Sequence, residues 1–275
     1  MQAQPAPCDH CVSRTCSTVL IAALYPVSAT VIAVELTFLG TGAAFSASAY
    51  NASILIDRSI LLDAGAPLAV HLPKAGLSLD APRSVLLSHF HADHTFGLAA
   101  LMLGRVLANE NAPSLKVFGP VGTTDYLQRL LDLAWGEDMR RLAWDRLELG
   151  VTELQGSDRF EVEGSQATAF RMRHSSRLNC LGFVIERDGV RLGYTGDAEL
   201  SPELEALVSA ADHLITEMTY DAEAGAMHLA RRDVQSLMQR HPDTRFIITH
   251  RASDNGAVSG ALMARDFETV TLPLR

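Results

Sequence analysis

The chain has 275 residues, 48% of them hydrophobic, and a formal net charge of -9 at pH 7. That length and apolar share can bury one substantial core of α/β size without requiring a second domain. The acidic balance argues against a broad surface that tracks a nucleic-acid backbone, and the cysteines, Cys8, Cys11, Cys16 and Cys180, form no disulfide framework.

Residues 1–33 read as an N-terminal extension and 34–275 as the folded domain. Thr15 to Val34 carries no charge and contains the apolar run Thr18 to Leu24. Three readings fit it: an unstructured extension upstream of the true start, a secretory signal, or a membrane anchor weakened by Pro26. The signal reading uses Arg14 as the basic flank and Val27-Ser28-Ala29 as the cleavage site; the plainer reading leaves the protein cytoplasmic. Cys8-Asp9-His10-Cys11 has a zinc-binding spacing, but no second pair follows to close a four-ligand site, so a loose tail is expected.

From Val34 onward, short β-branched runs alternate with amphipathic stretches, the pattern of a layered α/β domain. Val34 to Leu39 reads as a strand ending in Gly40-Thr41-Gly42. Strands at Ser53 to Ile56 and Ser59 to Leu62 then lead into Asp63-Ala64-Gly65. Ser84 to Ser88 is a buried strand running into His89, and Leu98, Leu101, Met102 and Val106 recur at helical spacing. A strand at Leu115 to Phe118 and a helix at Thr123 to Trp135 follow. Next come strands at Arg146 to Gln155, Phe160 to Glu163 and Ala167 to Arg173, the last leading to His174. Asp188-Gly189 suits a tight turn between strands at Phe183 to Glu186 and Val190 to Tyr194, which deliver Thr195-Gly196-Asp197. Ser201-Pro202-Glu203 supplies an N-cap, a first-turn proline and an acid at the positive end of a helix. A strand at Leu214 to Glu217, a helix from about Ala230 to Arg240 and a strand at Phe246 to Thr249 lead to His250. His89, His174, Asp197 and His250 thus each fall just past the carboxyl end of an expected strand, where open α/β sheets build their sites.

Ser88-His89-Phe90-His91-Ala92-Asp93-His94 crowds three imidazoles and a carboxylate into one turn. So short a turn cannot bring all four to one ion. His89 and His91 pointing one way, and Asp93 and His94 the other, suit two neighbouring metals completed from distant loops. After a strand, H-x-H-x-D-H resembles the signature of the metallo-β-lactamase superfamily, and the resemblance extends to Phe38-Leu39-Gly40-Thr41-Gly42 and Leu61-Leu62-Asp63-Ala64-Gly65. It implies an α/β fold, the four-layer αβ/βα sandwich of the metallo-β-lactamase type. It also implies that His174 joins His89 and His91 on one ion, that His250 joins Asp93 and His94 on the other, and that Asp197 bridges both. Asp63 is expected to hold the loop or to orient a ligand histidine. A donor set of nitrogen and oxygen suits two Zn2+ first and Mn2+ second. The related di-iron oxidoreductases place Glu where this chain has His91, which disfavours redox chemistry.

Two such ions lower the pKa of water from about 15.7 toward about 7 and stabilise a developing anion, so hydrolysis by a hydroxide shared between them is the expected reaction. Three features tilt the substrate toward a phosphodiester. Arg171, Arg173 and Arg177 near His174, with Arg251 beside His250, are expected to make a local anion site or else to be ordinary solvated charges. Glu217 and His228 resemble the acid and histidine pair of ribonuclease Z and its phosphodiesterase relatives, where Glu217 would orient His228 to protonate the leaving oxygen. Asp197 separates the chain from the true β-lactamases, which lack that bridging aspartate. Between His174 and Asp197 there is room for little more than a hairpin. The tRNA-gripping arm of ribonuclease Z is therefore missing, and a small or cyclic phosphodiester gains over precursor RNA. A lactone or thioester acyl hydrolase, and a metal-binding protein without turnover, stay open as other readings, as does a homodimer.

Overall fold

The computed structural model describes residues 34–222, 227–254 and 256–273. The expectations for 1–33, including the Cys8 and Cys11 pair, lie outside the described residues. Within the domain, alternate residues of each central strand face opposite sides, and this splits the apolar side chains among three clusters. The strands β1 (Val34–Gly40), β2 (Ser53–Ile56), β3 (Ile60–Leu62), β4 (Ser84–Leu86), β5 (Lys116–Pro120) and β6 (Gly150–Leu154) form one sheet. The strands β7 (Arg159–Val162), β8 (Ser165–Met172), β9 (Cys180–Arg187), β10 (Val190–Tyr194), β11 (His213–Glu217), β12 (Arg245–Thr249) and β13 (Leu262–Met263) form the other, each paired with the next. The last strand, β14 (Thr269–Leu272), returns to the first sheet and pairs antiparallel with β1.

The inner faces meet in a shared core: Phe38, Ile54, Leu62 and Phe118 from the first sheet pack with Phe183, Ile185, Ile215 and Ile247 from the second. Each such side chain removed from water contributes about 1.5–3 kcal/mol. Their sequence neighbours face outward. Leu55, Leu61, Val85 and Val117 pack under helices α1 (Leu68–Lys74), α3 (Gly97–Ala108), α4 (Thr123–Trp135) and α5 (Glu137–Arg146). Val184, Leu214, Phe246 and Ile248 pack under α6 (Pro202–Ser209) and α7 (Arg231–Arg240). A single turn, α2 (Ala92–Thr95), sits at the sheet edge. The result is the expected αβ/βα sandwich. Among the described residues, no helix is long and apolar enough to cross a membrane.

Expected and observed elements differ in a few places. The strand read from Arg146 begins only at Gly150, because Glu137–Arg146 is helix α5, an element the sequence reading did not contain. The short edge strands β13 and β14 and the helix α1 were also not anticipated. Ser201 caps α6 as expected, its hydroxyl accepting from Leu204 N at 3.2 Å. What positions the site is strand direction. The strands β10, β11 and β12 run parallel, as do β3, β4 and β5, so the loops beyond their carboxyl ends gather at one edge of the sandwich.

Candidate metal centre

The chain leaves β4 at Leu86 and passes through Ser88, His89 and His91 before α2, whose N-cap is His91. That helical turn swings Asp93 and His94 away from His89 and His91, and distant loops complete both groups. The ligand atoms of His89, His91, His174 and Asp197 lie within 4.8 Å of one another, as do those of Asp93, His94, Asp197 and His250. Each residue that the sequence marks as a metal ligand falls in one of these groups. Asp197 falls in both. Its Oδ2 lies 3.8 Å from His89 Nε2 and 3.7 Å from His174 Nε2, while its Oδ1 lies 3.3 Å from both His94 Nε2 and His250 Nε2.

Partners on the outer ring nitrogens fix these orientations. His94 Nδ1 donates to Asp63 Oδ2 at 2.7 Å and His174 Nδ1 donates to the Met227 carbonyl at 2.7 Å. His89 Nδ1 lies 3.0 Å from Ser88 Oγ, and His250 Nδ1 lies 3.0 Å from Thr219 Oγ1. His91 turns the other way and presents Nδ1, 2.9 Å from His89 Nε2 and 3.2 Å from His174 Nε2. Asp63 anchors the whole turn. Fully buried and held at φ 53°, it also accepts from Ser88 N and Ser88 Oγ at 2.7 Å and from Tyr194 OH at 2.6 Å. Both roles expected of it, loop support and histidine orientation, are present in this geometry.

The donor set fits divalent cations. Imidazole nitrogens whose lone pairs face one another at this range repel unless a cation lies between them, and Asp197 Oδ1 is buried without a hydrogen-bond partner among the described residues. Tetrahedral zinc, with bonds of about 2.0–2.1 Å, spaces its ligand atoms about 3.3 Å apart, close to the separations seen here. Electrostatics agree. Burial, then the neighbouring His94, hold His89 well below the ordinary imidazole range, and burial with His174 lowers His91, so both rest in the neutral form that a metal requires. Burial opposes charge on Asp197, yet His250 and His94 outweigh it and hold the carboxyl well below the usual range. Burial likewise pulls His94 down, but Asp197 and Asp63 overcome it and push that ring well above its ordinary value. The carboxylates thus call for positive charge at this spot.

Beside Asp197 stands a second constellation. Glu217, buried at the end of β11, holds His228 Nδ1 at 3.0 and 3.1 Å through its two oxygens, and also accepts from Ala198 N at 2.7 Å and Thr219 Oγ1 at 2.6 Å. His228 Nδ1 is 3.8 Å from Asp197 Oδ2. Burial depresses the His228 ring, but the Glu217 carboxylate, with Asp197 and Asp93 behind it, outweighs burial and raises its pKa. A cavity of about 570 Å³ opens above, with His91, Asp93, Asp197, His228 and His250 in its wall. The arginines do not line it. Arg173 pairs with Glu203 at 3.2 Å, Arg251 pairs with Asp254 at 2.8 Å, Arg177 is exposed, and Arg171 lines a separate cavity with Gly156 and Cys180. The anion site expected from them is not assembled at this cavity. Sequence reasoning missed Thr219, which contacts Glu217, His228 and His250 at once, and the cavity residues Phe45, Asn51, Phe96 and Tyr220. Thr219 lies two positions beyond Glu217, and that proximity was the one available signal.

A double-sheet sandwich carrying histidine and aspartate groups on one edge has the metallo-β-lactamase fold. A metallo-β-lactamase-fold protein from Bacillus subtilis, YhfI, superposes with a TM-score of 0.70 at 16% identity, covering 87% of this chain and 99% of that one. The short form of human tRNase Z superposes with a TM-score of 0.70 at 24% identity, covering 87% and 100%. These likenesses show the fold. Ribonuclease BN of Cronobacter sakazakii is 27% identical over 159 residues, 55% of this chain and 49% of its own length. The chain therefore spans about half the length of the curated relatives it matches. Residues 34–259 match the family described as "Anti-Pycsar protein Apyc1", and the chain belongs to that family.

Proposed function

We propose that this protein is a two-metal phosphodiesterase acting on a small or cyclic phosphodiester, with zinc as the preferred metal and manganese as the substitute. The observation that carries the reading is the His228–Glu217 pair beside Asp197. In this scheme His89, His91 and His174 would hold one cation, Asp93, His94 and His250 would hold the other, and Asp197, which belongs to both donor groups, would serve both. Bound there, the cations would supply Lewis acidity, which lowers the pKa of water and offsets negative charge on phosphorus oxygens. The chain's own residues do the rest. Asp93 and Asp197 set the charge of the floor. Glu217 fixes the Nδ1 proton of His228 and leaves Nε2, which has no hydrogen-bond partner among the described residues, to deliver a proton to the departing ester oxygen. An acyl substrate has less use for such a proton donor when its leaving group is a thiolate.

The names of the relatives, ribonuclease BN and tRNase Z, support a phosphodiester. The β9–β10 connection supports a small one, because it is a two-residue turn at Asp188 and Gly189, both at positive φ, with no arm to grip a long RNA. By its family's description, the biological setting we propose is the countering of Pycsar. The test compares rates on a bis-aryl phosphate, a thioester, a lactone and a chromogenic β-lactam, with elemental analysis of the same preparation. Turnover of the phosphate ester is expected; turnover of an acyl substrate without it overturns the reading.

A further inference from the structure

A second cavity, of about 680 Å³, shares no lining residue with the one above the metal centre among the described residues. It lies where β6, the edge strand of the first sheet, meets β8, β9 and α6. Leu154, Phe170 and Leu181 give it apolar walls, and Leu154 and Leu181 are buried. Backbone hydrogen bonds build those walls. Ser157 N donates to the Ala169 carbonyl and Ala169 N to the Asp158 carbonyl, both at 2.8 Å, which fastens the connection after β6 along β8. Gly156 in that connection lies so close to β8 that a Cβ there would sit 2.8 Å from Arg171 N. Leu181 N donates to the Ser88 carbonyl at 2.9 Å. A space held open in this way is preformed, and its volume falls in the range of small-molecule sites, about 300–1,000 Å³.

One uncompensated charge borders this apolar space. Arg171 lines the cavity, and its guanidinium has neither an ion pair nor a hydrogen bond among the described residues. Its charge reaches Cys180 in the same wall: burial pushes the thiol pKa up, and Arg171 is among the groups that pull it back down. Glu203 also lines the cavity, but Arg173 already engages it at 3.2 Å. Asn179 adds a side-chain amide that has no partner among the described residues. An inorganic anion would use the arginine and leave the apolar walls wet, whereas a neutral apolar molecule would leave the arginine unused. We propose that this cavity binds a monocarboxylate with an apolar body, its carboxylate on Arg171 and its hydrocarbon part against Leu154, Phe170 and Leu181. Guanidinium and carboxylate match as a planar pair joined by two hydrogen bonds, which favours this headgroup. The site is independent of the reaction at the metal centre.

Octanoate is the probe, titrated calorimetrically into the metal-loaded full chain, with octanol, octylamine and acetate as controls. The second readout is protection of Cys180 from iodoacetamide, followed by peptide mass mapping so that Cys8, Cys11 and Cys16 are scored apart. Octanoate at ten times its Kd is expected to slow Cys180 alkylation about tenfold, in proportion to the unoccupied fraction. Octylamine and acetate are expected to do neither. Arg171→Gln is expected to weaken octanoate at least about tenfold, the loss of a hydrogen bond to a charged group, and to bring it level with octanol. Ala206 is an exposed residue of α6 in the cavity wall, so Ala206→Trp is expected to fill the space without disturbing the core and to abolish binding of both. Absence of octanoate binding, binding that leaves Cys180 unprotected, or wild-type affinity for octanol equal to that for octanoate overturns the proposal. So does binding that survives both substitutions and disappears on chelation, which places the carboxylate on the metal centre.

Discussion

Asp197 faces both donor groups with different oxygens, and no other described side chain belongs to both. Asp197→Ala is therefore expected to lower metal content below two per chain and to cut the rate by at least roughly a hundredfold, the usual cost of losing a charge-stabilising element. Elemental analysis and initial rates on the folded variant check it, and wild-type values for both reject the bridging role. His228 makes a different prediction, because it touches Glu217, lines the cavity, and has an Nε2 without a hydrogen-bond partner among the described residues. His228→Ala should retain the metals yet slow cleavage by on the order of 10² to 10⁴ for a poor leaving group, with little loss for an activated one. Equal slowing on both removes His228 from the role. The pH dependence follows from the sign of the shift. Glu217 raises the His228 pKa, so the proton-donating form persists to higher pH and activity falls as pH rises through that value. Glu217→Gln removes the charge, so the alkaline limb of kcat/KM should move to lower pH. A limb that stays in place assigns it to another group.

Elements set where those side chains point, and close backbone contact between elements is part of the setting. The loop after β3 lies so near α2 that a Cβ on Gly65 would sit 1.7 Å from the Asp93 carbonyl oxygen. Gly65→Ala should displace Asp93, cost about 1–3 kcal/mol in denaturant unfolding and reduce metal content. An unchanged midpoint with full metal content removes this contact from the argument. Helix α4 and strands β2 and β10 were readable to the residue because each has a clear period and a turn signal at its ends. Helix α5 was not, since Ala143 is its one buried position and a weakly apolar stripe gives no helical period. The strands β13 and β14 are short and partly exposed at the sheet edges, and β14 pairs with β1 from the far end of the chain, a choice that no local pattern encodes.

At the scale of the molecule, what was legible in the candidate site was its convergence, and what was hidden was direction. Histidines and aspartates placed just past strand ends gather at one edge whatever the details, because parallel strands share that edge. Arg171, Arg173 and Arg251 lie as close in sequence to His174 and His250, yet strand parity and the acids Glu203 and Asp254 turn them elsewhere. Phe45 and Phe96 carry no signal until a cavity places them together. The same convergence makes a prediction about stability. Each donor group takes His89 and His91, or Asp93 and His94, from beyond the first sheet, and Asp197 with His174 or His250 from beyond the second. A cation bound in either group joins loops from both sheets and binds the folded chain far better than the unfolded one. At a free metal concentration a hundred times Kd, each site adds about 2.7 kcal/mol. For a domain of this size that raises Tm by roughly 5–10 °C. Chelation followed by dialysis should therefore lower Tm by that amount or more, and added zinc should restore it. Asp197→Ala should show a smaller zinc-dependent shift, since it weakens both groups at once. If Tm is indifferent to chelation in protein whose metal loss is verified by elemental analysis, the donor groups do not hold the two sheets together through a cation.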